Sequence, residues 1–190
     1  MDKLLEKLEE KEIESSLIFD GRVLHVYCDK VSLPDGQTGG REYCKHNGGV
    51  CVIPITDKGE VILVRQYRYA HKQITLEIPA GKLERRDTDV ESAALRELNE
   101  ETGASCKKLT FLGQMYPSPA LLDEVIYIYM AEELEEGCQH LDSDEFLTCV
   151  RMPLETLVEM VCNGLVPDAK TQVAALRAWK ILNERGQGEV

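Results

Sequence analysis

The chain has 190 residues, of which 43% are hydrophobic and 29% are charged, and its formal net charge is -12 at pH 7. This length can bury a sizeable core in one domain, and the composition is that of a soluble globular protein. The negative charge argues against nucleic acid as a partner, because binding to its phosphates requires clustered Lys and Arg. No apolar run reaches the roughly 18 residues that a membrane-spanning helix needs.

The cysteines and the N-terminal segment indicate where the protein works. There are seven cysteines, an odd number, and no Cys-x-x-Cys pair, which favours a reducing compartment over a disulfide framework. The spacing of Cys and His does not fit a zinc finger. Residues 1–16 carry too many charges for a signal peptide. We therefore expect a cytoplasmic protein without a membrane partner.

The first half of the chain reads mainly as strands. Leu4, Leu5 and Leu8 predict a short amphipathic helix over residues 1–11. The Asp20-Gly21 pair between two β-rich runs predicts a hairpin. Further predicted elements are a loop over 34–40, a strand over 41–46, a second hairpin over 48–69 with its turn at 56–59, and a strand over 74–78 that runs into a Pro-Ala-Gly loop.

The second half begins with a helix, from Asp89 to a stop at Gly103, and a capping box of Thr88 with Glu91. Strands over 109–116 and 124–134, a polar loop, a strand over 146–153, and helices over 154–164 and 169–186 follow. This order predicts an α/β (α+β) sandwich with a central mixed sheet. We expect a division into an N-terminal hairpin region, 1–45, and a main domain, 46–190.

Three carboxylates on the central helix indicate a cation site. Glu97, Glu100 and Glu101 are related as i, i+3 and i+4, so they share one helix face. They repel one another unless a cation lies among them, although such residues are commonly just a solvated face. Glu97 and Glu101 are one turn apart and can reach one Mg²⁺ or Mn²⁺, with Glu100 beside them and the Ala80 carbonyl as a further oxygen ligand. Such an ion could bridge the protein and a diphosphate.

The wider pattern resembles the signature of the Nudix hydrolases, Gly-x5-Glu-x7-Arg-Glu-apolar-x-Glu-Glu-x-Gly-apolar. Residues 96–104, RELNEETGA, match its second half at every specified position. The first half differs, because the expected Glu falls on Asp87 when counted from Gly81 and on Thr88 when counted back from Arg96. One extra residue therefore lengthens the loop, and Asp87 is the nearest substitute for the missing Glu.

The resemblance extends over about residues 17–185 and is strongest to the ADP-ribose pyrophosphatase subgroup, through ILVRQYRY, LEIPAGKLE and YPSPALLDE. Pro119 lies sixteen residues after Gly103, where that subgroup carries a Pro. The resemblance implies an α/β/α sandwich and Mg²⁺-dependent hydrolysis of a nucleoside diphosphate sugar. It also implies a homodimer that exchanges N-terminal strands.

The same resemblance assigns roles to individual residues. Glu97, Glu101, Glu100 and the Ala80 carbonyl are expected to hold the metal, and Arg96 is expected to anchor the catalytic helix. Arg68 and Glu77 resemble substrate contacts; alternatively, each is a solvated surface charge. Phe19 could stack on the adenine or could be a core aromatic, and Pro119 could be an ordinary loop proline.

A general base for the attacking water is expected in the polar loop before the strand over 146–153. Asp142, Asp144 and Glu145 are the candidates, and Glu145 fits the family's position best. Alternatively, this acidic run only solvates the loop.

Three other interpretations of the whole chain stay open. The protein could be a Nudix pyrophosphatase for GDP-mannose or a dinucleotide, since the signature binds only the shared diphosphate. It could be a non-catalytic module that senses ADP-ribose. It could also be a structural domain with an acidic helix, in which case metal ions would have no effect.

Overall fold

The computed structural model describes residues 7–84, 87–141, 143 and 145–187. The elements are β1 (Lys11–Asp20), β2 (His25–Ser32), β3 (Thr38–Lys45), β4 (Gly49–Pro54), β5 (Glu60–Arg68), β6 (Gln73–Glu77), β7 (Ala80–Lys82), α1 (Val90–Thr102), β8 (Ser105–Met115), β9 (Ile126–Glu135), β10 (Leu147–Pro153), α2 (Leu154–Cys162) and α3 (Ala169–Gln187). No helix in the described part of the chain is long and apolar enough to cross a membrane.

The chain divides into two compact units, an N-terminal unit of Met1–Asn47 with Ser118–Glu124 and a larger unit of Gly48–Pro117 with Val125–Val190. In the N-terminal unit β1, β2 and β3 form an antiparallel sheet, so the hairpin at Asp20-Gly21 is confirmed. The predicted helix over 1–11 is wrong at its end, because Glu9 and Glu10 are not helical and β1 begins at Lys11. Residues 1–6, with Leu4 and Leu5, lie outside the described residues.

The larger unit contains two sheets. One is mixed, in the order β7-β4-β9-β8, with β4 and β9 parallel; the other is antiparallel, in the order β10-β5-β6. The second predicted hairpin is therefore corrected, because β4 and β5 enter different sheets, and an isolated bridge joins Ile55, just after β4, to Val61 of β5. All six residues of β4 are buried, since the strand is covered on both faces.

Alternate residues of β4 face opposite layers, which makes the larger unit a sandwich. Cys51 and Ile53 pack in a core with α2 and α3, whereas Val50 and Val52 pack in a second core with α1. The predicted α/β/α sandwich with a mixed sheet is confirmed. Helix α1 is thereby held rigidly against the sheet that carries β7.

The ends of α1 follow from local chemistry. The capping box consists of Asp89 and Ser92: Asp89 Oδ1 accepts a hydrogen bond from the Ser92 N–H at 2.7 Å, and the Asp89 N–H donates to Ser92 Oγ at 3.2 Å. The predicted box of Thr88 with Glu91 is thus one residue off. Gly103 ends the helix at φ 73°, as predicted, because this left-handed conformation favours glycine.

Candidate active site

Helix α1 buries two of its three clustered carboxylates. Glu97 is 7% exposed and Glu101 is 3% exposed, whereas Glu100 is half-buried. Leu98, between them in sequence, is fully buried against the sheet. Glu97 and Glu101 therefore lie at the edge of the helix-sheet interface and are not on a solvated face. Charged groups are rarely buried in this way without a partner.

The Glu97 carboxylate lies directly over the backbone of Gly81. A Cβ atom added at Gly81 would lie 1.9 Å from Glu97 Oε1, so any side chain there would displace this carboxylate. The Arg96 guanidinium donates to Glu97 Oε1 at 2.7 Å. Burial nevertheless raises the pKa of Glu97 to about 7, because it outweighs the attraction of Arg96, and the charges of Glu100 and Glu145 act in the same direction as burial.

Glu101 is in a similar environment. Its Oε2 accepts a hydrogen bond from the Ala80 N–H at 3.3 Å, so β7 and α1 meet at this carboxylate. Burial raises the pKa of Glu101 to about 8, and the charge of Glu97 adds to this rise. Two adjacent buried carboxylates that resist ionisation form a site that a bound cation would stabilise.

Arg96 connects the helix to the preceding loop. It donates from Nε to Asp87 Oδ1 at 2.9 Å and from Nη2 to Asp87 Oδ2 at 3.0 Å. It also donates to Glu100 Oε2 at 2.9 Å and to the Lys82 carbonyl at 3.2 Å. The hydrogen bonds with Asp87 in particular raise the pKa of Arg96 above its ordinary value. Asp87 thus occupies the acidic position that pairs with this arginine despite the longer loop.

The donor set fits a hard divalent cation. In the described part of the chain, no three His, Cys, Asp or Glu side chains are arranged as a complete metal site. Mg²⁺, however, commonly binds through one or two carboxylates, with substrate phosphates and waters completing its shell. Glu97, Glu101 and a carbonyl from the Ala80 segment would provide such a partial shell, and the raised pKa values of the two acids agree with it.

Glu145 lies within electrostatic range of this pair, because its charge contributes to the raised pKa of both Glu97 and Glu101. It is exposed and lines a cleft of about 600 Å³ together with Tyr67, Leu141 and Phe146. The other two candidate bases, Asp142 and Asp144, lie outside the described residues. Glu145 is therefore placed near the carboxylates without being buried among them.

Arg68 and Glu77 form an ion pair in the larger unit. Arg68 donates from Nε to Glu77 Oε1 at 2.7 Å and from Nη2 to Glu77 Oε2 at 2.6 Å. The alternative that Glu77 is a surface residue is wrong, since it is 1% exposed. Burial by itself would raise the pKa of Glu77, but the hydrogen bond from Arg68 and the charge of Lys170 lower it to about 2.

The sequence reasoning missed three residues around Glu77. Lys170 donates to Glu77 Oε2, and the Thr75 hydroxyl donates to Glu77 Oε1 at 2.6 Å. Asp168 in turn accepts from Lys170 at 2.7 Å. The sequence offered one usable signal, since an Asp immediately before a predicted helix is a favourable N-cap. Nothing local indicated that the lysine two positions later would reach a strand 93 residues away.

Phe19 and Pro119 both belong to the N-terminal unit. Phe19 is 56% exposed, so the alternative of a core aromatic is wrong, and its ring lies close to Gly21. Pro119 is exposed in the turn that follows Ser118. The structure thus gathers Ala80, Arg96, Glu97, Glu100 and Glu101 in one cluster and Arg68 with Glu77 in another within the larger unit. Phe19 and Pro119 are not part of either cluster.

Known proteins resemble this chain over most of its length. The family model described as "NUDIX domain" matches residues 45–176. An ADP-ribose pyrophosphatase of Bacillus subtilis (strain 168) is 43% identical over 172 residues, which are 90% of this chain and 92% of that protein. A methanol dehydrogenase activator of Bacillus methanolicus is 40% identical over 87% of this chain and 90% of its own. A crystal structure of an ADP compounds hydrolase superposes with a TM-score of 0.83 at 26% identity, covering 96% of this chain and 98% of the other.

Proposed function

Given that the chain belongs to the Nudix hydrolase family, we propose that it is a Mg²⁺-dependent pyrophosphohydrolase that cleaves ADP-ribose to AMP and ribose 5-phosphate. Related nucleoside diphosphate sugars are the wider substrate class. The observation that carries the proposal is the buried pair of Glu97 and Glu101 beside Ala80, since burial of two acids is stabilised by a cation between them. The full-length similarity to an ADP-ribose pyrophosphatase supports the choice of substrate.

Each residue of the site has a proposed task. Glu97 and Glu101 hold the metal with the Ala80 carbonyl, Glu100 assists them, and Mn²⁺ can substitute. When bound, the metal neutralises the diphosphate and favours attack by water on phosphorus. Arg96 fixes the helix by binding Asp87, Glu97 and Glu100.

The remaining tasks concern water and substrate. Glu145 accepts the proton of the attacking water as general base. Arg68, held by Glu77, contributes its planar, permanently charged guanidinium at the substrate side. Phe19 stacks on the base, and Pro119 shapes the loop around the sugar.

We also propose that the protein is a cytoplasmic homodimer that associates through its N-terminal unit. Strand β1 is exposed along its full length, and its apolar residues Ile13, Leu17, Ile18 and Phe19 are all largely uncovered. An exposed apolar strand of this kind commonly covers itself by pairing with another copy. Seven unpaired thiols suit a reducing compartment.

A substrate panel tests the proposed function. Purified protein with saturating Mg²⁺ is given ADP-ribose, GDP-mannose, NADH or a diadenosine polyphosphate, and kcat/KM is measured from monophosphate release. The proposal predicts the highest kcat/KM for ADP-ribose. A higher value for GDP-mannose would transfer the function to another nucleotide sugar. Binding of ADP-ribose without hydrolysis would favour the sensing module, and no response to any compound would favour the structural domain.

A further inference from the structure

The first turn of α3 contacts the segment that leads to Ala80. Lys170 Nζ donates to Glu77 Oε2 and, at 2.7 Å, to Asp168 Oδ1. The Thr171 hydroxyl donates to Asp168 Oδ2 at 2.6 Å and accepts from the Ile78 N–H at 2.9 Å. One helix end therefore binds a side chain and the adjacent backbone of the same short segment.

These contacts are sheltered from water. Lys170 is 9% exposed, and Thr171 and Ile78 are fully buried. Asp168 also accepts from the Thr171 N–H at 2.9 Å, so it caps α3 while it orients both side chains. Buried hydrogen bonds that involve charged groups have fixed geometry, and losing one leaves its partner unsatisfied at a substantial cost.

The segment from Glu77 to Ala80 is held at every residue. Glu77 binds Arg68 and Lys170, and the Ile78 N–H binds Thr171. The Pro79 carbonyl accepts from the Val52 N–H at 2.9 Å. The Ala80 N–H reaches Glu101 at 3.3 Å. The contacts from α3 thus fix the start of a segment whose end lies at the acidic pair.

We propose that Asp168, Lys170 and Thr171 form a positioning clamp, which sets the Glu77–Ala80 segment so that the Ala80 carbonyl and the Glu101 carboxylate bind the divalent cation together. This α3 clamp does not touch the reacting atoms and acts through the backbone and through Glu77. The inference rests on the proposed function, because it assumes that the cation binds at Glu97 and Glu101.

A matched pair of variants at Thr171 tests the clamp. Thr171→Val keeps the shape of the side chain but cannot accept from the Ile78 N–H, whereas Thr171→Ser keeps the hydroxyl. Binding of Mn²⁺ to the full chain is measured by electron paramagnetic resonance, without substrate. We expect Thr171→Val to weaken Mn²⁺ binding about tenfold, as is typical when a group that orients a ligand is removed, and Thr171→Ser to bind as the wild type does.

A second pair of variants, at Lys170, tests how much the charge of this side chain contributes to the clamp. Lys170→Met removes the charge that faces Glu77, and Lys170→Arg retains it. We expect Lys170→Met to weaken Mn²⁺ binding, to lower kcat for ADP-ribose, and to be partly rescued by Lys170→Arg. Lys180→Met serves as the control on the same helix, because Lys180 is exposed and pairs with Glu184.

Loss of stability must be separated from loss of positioning. Leu157→Ala removes a fully buried apolar side chain from α2, which shares a core with Ile78 but makes no hydrogen bond to the Glu77–Ala80 segment, so it lowers Tm through packing alone. All binding is measured below the lowest Tm of the set. If Leu157→Ala keeps the Mn²⁺ affinity of the wild type while Thr171→Val loses it, the effect is one of positioning.

Two results would overturn the clamp, and they have different consequences for the proposed function. If Glu101→Gln weakens Mn²⁺ binding but Thr171→Val and Lys170→Met leave both affinity and kcat unchanged, the clamp is overturned and the proposed function stands. If Glu101→Gln itself leaves Mn²⁺ binding unchanged, the cation site is not at Glu101, and the clamp is overturned together with that part of the proposed function.

Discussion

Arg96 and Asp87 face each other through two parallel hydrogen bonds, 2.9 Å from Nε to Oδ1 and 3.0 Å from Nη2 to Oδ2. Both side chains are largely buried, at 14% and 6% exposure. This bidentate ion pair attaches the loop before α1 to the helix that carries Glu97 and Glu101. The loop is one residue longer than in the family signature. The insertion therefore leaves the helix anchored.

The Asp87–Arg96 pair makes a first prediction. Asp87→Ala leaves a largely buried guanidinium with fewer acceptors, and we expect the free energy of unfolding to fall by about 3 kcal/mol. Because the loop also loses its attachment to α1, kcat/KM for ADP-ribose should fall at least about tenfold. Denaturant melts and steady-state kinetics measure the two effects. Asp57→Ala, at an exposed turn residue, is the matched control and should change neither.

A second prediction concerns Gly81. Gly81→Ala places a methyl group where the Glu97 carboxylate now lies, so this carboxylate must move. We expect Mn²⁺ affinity to fall by roughly a hundredfold, since a proposed metal ligand is displaced, while the protein remains folded. Gly186→Ala, where an added Cβ meets nothing within 4 Å, is the control. Unchanged Mn²⁺ binding in Gly81→Ala would argue against Glu97 as a ligand.

The raised pKa values of Glu97 and Glu101 predict a pH effect on stability without metal. An acid whose pKa is higher in the folded state than in the unfolded state binds more protons when folded, so the free energy of unfolding falls as pH rises. For Glu101 this loss spans the range from about 4.5, its ordinary value, to about 8. In the presence of EDTA, Glu101→Gln should therefore be more stable than the wild type at pH 8.5, by on the order of 2 kcal/mol.

Thermal melts of both proteins at pH 5.5 and 8.5 measure this difference. At pH 5.5 the difference between the two melts should be much smaller, because only the lowest part of the range from about 4.5 to about 8 has then been crossed. Addition of Mg²⁺ at pH 8.5 should stabilise the wild type more than Glu101→Gln. A wild type that is more stable than the variant at pH 8.5 in EDTA would show that Glu101 is not penalised by burial.

The identity of the general base gives a fourth prediction. Glu145→Gln should lower kcat by roughly a hundredfold or more, the range typical for removal of a general base, while Mn²⁺ still binds. Asp142→Asn and Asp144→Asn are the alternatives from the same loop and should retain most of the activity. A larger loss in either of them than in Glu145→Gln would assign the base to that residue.

The sequence predicted elements well where signals are local. The Asp20-Gly21 turn and the Gly103 stop depend on backbone conformations that few residues adopt, so the residue types themselves indicate them. The predicted pairing of β4 with β5 failed, because sheet partners are chosen by packing across the whole unit. Both strands contribute to both cores, Ile53 with Leu63 in one and Val52 with Ile62 in the other, so their burial patterns do not distinguish one paired sheet from two packed sheets.

In the candidate site, too, the sequence predicted what local spacing determines and not what tertiary packing determines. The i, i+3, i+4 spacing placed Glu97, Glu100 and Glu101 together correctly, but it could not show that two are buried and one is half-buried. The burial depends on Gly81, which lets β7 approach the helix closely. Lys170 was not foreseen at all, since its partner Glu77 is brought to it by the tertiary fold and not by spacing along the chain.

A catalytic cation at Glu101 is tested most directly by AMP release from ADP-ribose by wild type and Glu101→Gln, each with Mg²⁺ and with EDTA. If Glu101 holds a catalytic cation, the wild type should release AMP rapidly with Mg²⁺ and not with EDTA, and kcat should be at least about a hundredfold lower in Glu101→Gln. Equal activity of the two proteins, or activity of the wild type that persists in EDTA, would contradict the claim that Glu101 holds a catalytic cation.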